Sequence, residues 1–201
     1  MFSSDPNTPQ ANAAAAPKDL FGRLRAITAS SLTGFMTDMW LARHTEEKTW
    51  PLLVDVIGEI VDMYQPQDIC VVGYSFGGKY CLKILQQALD SAHTPANMAW
   101  ARLVLTGVVC HPSLVEAKDF VGVKKPLLMI AIDNDPLFPD KVLKPGLQSL
   151  TTDNVYYELR TFDNLPHGFA VKGDYKTSRH ISQRQQEAHR LIVQWLKSLV
   201  L

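Results

Sequence analysis

The chain has 201 residues, 46% hydrophobic and 20% charged, which suits one globular domain with a single sizeable core. Twenty Lys and Arg offset twenty Asp and Glu, so no single-sign field points to nucleic acid or another highly charged partner. Three cysteines without framework spacing argue against a disulfide-stapled scaffold, and neither a signal peptide nor a membrane-length apolar run is present, so a soluble cytoplasmic protein is expected.

Residues 1–17 are rich in Ala, Pro, Asn and Ser and read as a flexible leader; residues 18–201 read as the folded domain. Residues 34–44 suggest a short helix or ordered loop carrying Trp40. From Pro51, suited to a first helical turn, Leu53, Val56, Ile57, Ile60, Val61 and Tyr64 predict an amphipathic helix. The apolar run 69–72 is too short for a helix and reads as a buried strand. After it, Tyr80, Cys81, Ile84, Leu85 and Ala88 recur at the spacing of one helical face. Cys70 on the strand and Cys81 on the helix are expected as small core residues rather than reactive thiols.

Residues 103–109 predict the next strand, followed by a loop through His111-Pro112-Ser113. Residues 127–132 are apolar throughout, as in a parallel strand covered on both faces. An acidic loop, 133–139, leads to a helix near 142–150 and a more alternating strand, 155–159, expected nearer the sheet edge. A loop with Pro166-His167-Gly168 precedes a closing helix whose Ala188, Leu191, Ile192, Trp195, Leu196 and Leu199 share one face. Strands alternating with helices predict an α/β fold with a mostly parallel sheet flanked by helices.

Between the strand 69–72 and its following helix stands Gly73-Tyr74-Ser75-Phe76-Gly77, the spacing of a nucleophile elbow. In open α/β sheets function gathers at the carboxyl ends of the strands. Three residues lie just past such ends: Ser75, an aspartate of the 133–135 loop, and His167. A serine hydroxyl needs an imidazole to take its proton, and the imidazole needs a carboxylate to fix its tautomer. Of six histidines, only His167 falls between the last strand and the last helix; His111 could line the pocket, but an ordinary surface-loop histidine is the stronger expectation. Asp133 and Asp135 are equally good suppliers of the acid, since either suits a turn. Tyr74 and Phe76 flank Ser75 and are candidates for walling a pocket or for core packing.

The elbow with Lys79-Tyr80, the loop Asp135-Pro136-Leu137-Phe138-Pro139, the segment His167-Gly168-Phe169-Ala170-Val171-Lys172-Gly173-Asp174 and the stretch Trp40-Leu41-Ala42-Arg43-His44 together resemble the dienelactone hydrolase family, particularly its fungal branch. The resemblance spans roughly residues 34–200. It implies an α/β-hydrolase fold, Ser75 as nucleophile, Asp135 as acid and His167 as base, acting on small esters or lactones without cofactor or metal. It also implies that Lys172 stands where relatives often place an arginine facing an anionic substrate. Ser75 occupies a position where the family typically carries cysteine, which suits a more ordinary esterase.

The family has several strands ahead of the region where this chain begins, and residues 1–50 offer no counterpart. The Phe76 backbone N–H can supply one oxyanion donor, whereas the second normally comes from a loop after an early strand. One lost donor costs on the order of a hundred- to a thousandfold in rate. The strand 69–72 is apolar on both faces, as befits a mid-sheet position, so its outer edge is expected to be covered by the leader, by a second copy as a homodimer, or by more of a longer protein. The alternative reading is a truncated, non-catalytic member that keeps the fold as a binding or interaction protein.

Overall fold

The structure, a computed structural model, describes residues 40–87, 95–171 and 178–200. The expected leader, His93 and Lys172 lie outside the described residues. Two compact units divide the chain, residues 1–49 and 50–201. In the first, a helical turn starts at Trp40, and His44 closes it by donating its backbone N–H to the Trp40 carbonyl at 3.0 Å. The His44 ring stacks on that of Trp40, 4.2 Å between centroids.

Helix α1 runs Glu46–Tyr64, beginning ahead of the expected Pro51. The Thr45 carbonyl accepts the N–H groups of Lys48 and Thr49, and Glu46 and Glu47 place negative charge at the positive end of the helix dipole. These start signals outweigh the loss of one hydrogen bond at Pro51, which lies inside the helix. Val54 is buried, with Leu53, Ile57 and Val61 packed beside it, while Val56, Ile60 and Tyr64 are exposed rather than on the core face.

Four parallel strands form the sheet: β1 (Ile69–Tyr74), β2 (Val104–Cys110), β3 (Leu127–Ile132) and β4 (Tyr157–Phe162), in spatial order β1-β2-β3-β4. β3 is buried along its whole length, as its unbroken apolar run requires. Among the described residues β1 ends the sheet, and all of it except Gly73 is only half-buried, unlike the mid-sheet strand its composition suggests. β4 starts at Tyr157 rather than Val155, because the Val155 N–H turns back to the Leu150 carbonyl at 2.9 Å and closes helix α3 (Asp140–Thr152).

Alternation along the strands sorts side chains into two cores. Leu127, Met129 and Ala131 pack with Cys81, Leu82 and Leu85 of helix α2 (Phe76–Gln87) and with Val54 of α1. Leu128, Ile130 and Ile132 face Ala188, Ile192 and Trp195 of helix α4 (Arg179–Val200). Trp195 drives its indole N–H into the sheet, donating to Thr106 Oγ1 at 2.9 Å, and Thr106 donates onward to the Pro126 carbonyl at 2.8 Å. This three-layer arrangement leaves the carboxyl ends of the strands open between the helix layers, and the candidate residues stand there. Cys81 and Cys110 are buried thiols pushed up to about 12 by desolvation, which makes them packing residues rather than nucleophiles.

Candidate active site

Ser75 is the hinge between β1 and α2, and its φ of 47° lies in the left-handed region that a side chain adopts at a cost of about 1–3 kcal/mol. The turn is tight because Gly73 has no side chain: a Cβ there would lie 2.4 Å from the Gly77 carbonyl oxygen and 2.8 Å from Cys81 Cβ. Sheet pairing continues past the strand ends and fixes the Ser75 backbone. Its N–H donates to the Cys110 carbonyl at 3.1 Å, and its own carbonyl accepts the Ser113 N–H at 3.0 Å.

The Ser75 hydroxyl lies 2.9 Å from His167 Nε2, and His167 Nδ1 lies 2.7 Å from Asp135 Oδ2. A carboxylate only accepts, so Nδ1 carries the proton toward Asp135. In the neutral imidazole Nε2 then offers its lone pair, and Ser75 donates to it. Asp135 is 4% exposed, and its second oxygen accepts the Leu137 N–H at 2.9 Å, which restrains the carboxylate beside the ring. Asp133 is exposed and turns away, donating its N–H to the Phe162 carbonyl. Between two aspartates that turn chemistry leaves equivalent, the structure puts Asp135 on His167. Gly168, at φ 87°, lets the chain reverse directly after His167 so that the ring reaches back over the strand ends.

His111 overturns its expectation as a surface-loop residue. It is fully buried, its N–H pairs with the Ile130 carbonyl at 2.7 Å, and its φ of 36° lies in the left-handed region. Its ring meets His167 edge-on at 5.2 Å, Phe169 at 5.7 Å and Tyr74 at 5.9 Å. Among the described residues neither ring nitrogen has a hydrogen-bond partner, and desolvation lowers its pKa to about 4, so the ring is neutral at physiological pH. Ser113, 7% exposed, holds its hydroxyl 3.1 Å from Ser75 Oγ. The sequence offered His111 as a pocket-lining residue only as the weaker alternative and gave Ser113 no role; the signal for both is a position just past the β2 carboxyl end.

Of the remaining candidates, Tyr74 is half-buried in the α4-side core, against His111. Phe76 opens α2 directly after Ser75, with its ring edge-on to Tyr80 at 5.1 Å. Among the described residues no three His, Cys, Asp or Glu side chains converge as a metal-binding group, and no helix is long and apolar enough to cross a membrane.

The parallel sheet between helix layers, with a left-handed residue at the β1–α2 turn, is the fold of the α/β hydrolases. It is shared with a dienelactone hydrolase-like promiscuous phosphotriesterase from metagenomic libraries, at a TM-score of 0.54 and 17% identity, covering 85% of this chain and 66% of that one. The chain belongs to the dienelactone hydrolase family, whose profile matches residues 43–200. It is 29% identical over 147 residues to hydrolase pyvD of Aspergillus violaceofuscus, covering 73% of this chain and 54% of the relative. It is 27% identical over 152 residues to hydrolase tropI of Talaromyces stipitatus, covering 76% and 54%. The chain thus spans about half the length of these curated relatives.

Proposed function

We propose that this chain is a serine hydrolase of small carboxylic esters or lactones, with Ser75 as nucleophile, His167 as general base and Asp135 as the carboxylate that orients and stabilises the imidazole. The observation that carries this reading is the unbroken chain from Ser75 Oγ to His167 Nε2 at 2.9 Å and from His167 Nδ1 to Asp135 Oδ2 at 2.7 Å, set on a left-handed Ser75. Family membership supports hydrolysis as the reaction class, and a small molecule as the substrate follows from it.

In this reading Ser75 Oγ attacks the substrate carbonyl carbon as its proton passes to His167 Nε2. The buried Asp135 carboxylate stabilises the resulting imidazolium. The Phe76 backbone N–H, at the start of α2, is one donor to the tetrahedral oxyanion, aided by the positive end of the helix dipole. His167 then protonates the leaving alcohol, and water repeats the sequence to release the acid. The neutral hydroxyl of Ser75, unlike a thiolate, depends wholly on His167 for activation.

Tyr74 and Lys172 are proposed as substrate-contacting groups, Tyr74 for its place beside Ser75 and Lys172 for its match to the family's arginine. The proposed setting is the cytoplasm. Because β1 ends the described sheet, the reading also includes a covering element on that edge: the preceding segment, a second copy, or more of a longer protein.

A serine-directed fluorophosphonate probe tests the function. The expected result is labelling of the folded protein that disappears in Ser75→Ala. Folded protein that takes up no label would sink the proposal and leave a non-catalytic binding role.

A further inference from the structure

Proton accounting at the triad leaves one hydrogen bond with a single possible direction. Asp135 Oδ2 takes the His167 Nδ1 proton, so in the neutral ring Nε2 takes the Ser75 proton. The Ser75–Ser113 contact at 3.1 Å can then run only from the Ser113 hydroxyl to Ser75 Oγ. Ser113 is not a passing neighbour. Its N–H is anchored on the Ser75 carbonyl, and Pro112 before it is seated against Gly78, where a Cβ would come within 2.8 Å of Pro112 Cβ. Nucleophile turn and Ser113 turn are locked together at backbone level, and the hydroxyl is nearly excluded from solvent.

A donor fixed on Oγ acts differently in the two halves of the reaction. During attack it competes for electron density that Oγ needs to form the new bond. During deacylation, water adds to the acyl carbon and gives a proton to His167 Nε2. The C–Oγ bond then breaks, its electron pair stays on Oγ, and that proton passes from Nε2 to Oγ, so there the same donor stabilises charge developing on the departing oxygen. We propose that Ser113 is a further catalytic residue that donates to Ser75 Oγ and accelerates deacylation in preference to acylation. This rests on Ser75 being the nucleophile, as proposed above.

The test is stopped-flow hydrolysis of p-nitrophenyl acetate with acid-quenched intact-mass detection of acetyl-enzyme, in the full chain. Fluorophosphonate labelling of the unmodified protein is run first: no labelling and no acetyl-enzyme in any variant means that the underlying hydrolase reading has failed, and this proposal with it. With labelling present, Ser113→Ala is expected to lower kcat about tenfold, the size of one lost hydrogen bond to a charged acceptor, and to leave kcat/KM within about threefold in either direction. Acetyl-enzyme should accumulate in a burst that the unmodified protein lacks. Ser113→Thr and Ser113→Val form a matched pair of equal shape: Thr, which keeps the hydroxyl, should turn over without the burst, and Val should show it. Equal falls in kcat and kcat/KM without acetyl-enzyme, or Thr and Val behaving alike, would overturn the proposal while leaving Ser75 as nucleophile intact.

Discussion

His111 gives the pH dependence of folding a defined source. Its ring is fully buried and its pKa is held near 4 by desolvation, against an ordinary value of 6.5. The unfolded chain therefore binds a proton that the folded one refuses, throughout the interval between those values. Stability from this group is intact above 6.5, is lost as pH falls through the interval, and falls no further below about 4. Over the full interval the loss reaches at most about 3 kcal/mol, and by about pH 5 it amounts to roughly 2 kcal/mol. Replacing the ring by leucine removes the titration while keeping an apolar body against Phe169 and Tyr74; backbone strain that leucine adds at this left-handed φ is the same at both pH values and cancels in the comparison. Urea unfolding followed by tryptophan fluorescence, at about pH 7.5 and about pH 5, should show the midpoint of the unmodified protein falling by about 1 M more than that of His111→Leu. Parallel declines in the two proteins would refute the reasoning and move the acid sensitivity elsewhere.

Asp135→Asn should lower kcat/KM on an ester by about ten-thousandfold, since the amide no longer fixes the tautomer or balances the imidazolium, whereas Asp133→Asn, exposed and off the ring, should change it by less than about threefold. The two elbow glycines should separate in urea midpoints: Gly73→Ala meets a backbone oxygen that cannot give way and should cost about 1–3 kcal/mol or more, while Gly77→Ala has nothing within 4 Å and should be neutral or gain up to about 1 kcal/mol of helix propensity. Thr106→Val should cost about 1–3 kcal/mol in the same assay, because it leaves the buried Trp195 indole N–H without a partner, whereas the Pro126 carbonyl keeps the Gly107 N–H; an unchanged midpoint would mean that this link between α4 and the sheet contributes nothing net.

What the order of residues determined by itself was everything carried by local periodicity and spacing. Unbroken apolar runs specified β1 and β3, helical spacing specified α2 and α4, and their alternation specified parallel strands whose carboxyl ends hold Ser75, an aspartate loop and His167. Boundaries slipped where a backbone bond overrode the pattern, as at Val155, whose N–H ends a helix instead of starting a strand. Which residues of those loops meet was decided only in three dimensions. Asp133 and Asp135 have the same turn chemistry, and they separate because one faces solvent and the other is pinned by the Leu137 N–H beneath His167. For His111 a surface loop outweighs a pocket lining on sequence alone, and Ser113 carries no signal of its own, until the pairing of Tyr74 with Cys110 sets their loop beside Ser75. Contacts of that kind depend on register between strands some thirty to forty residues apart, and no window of local sequence encodes them.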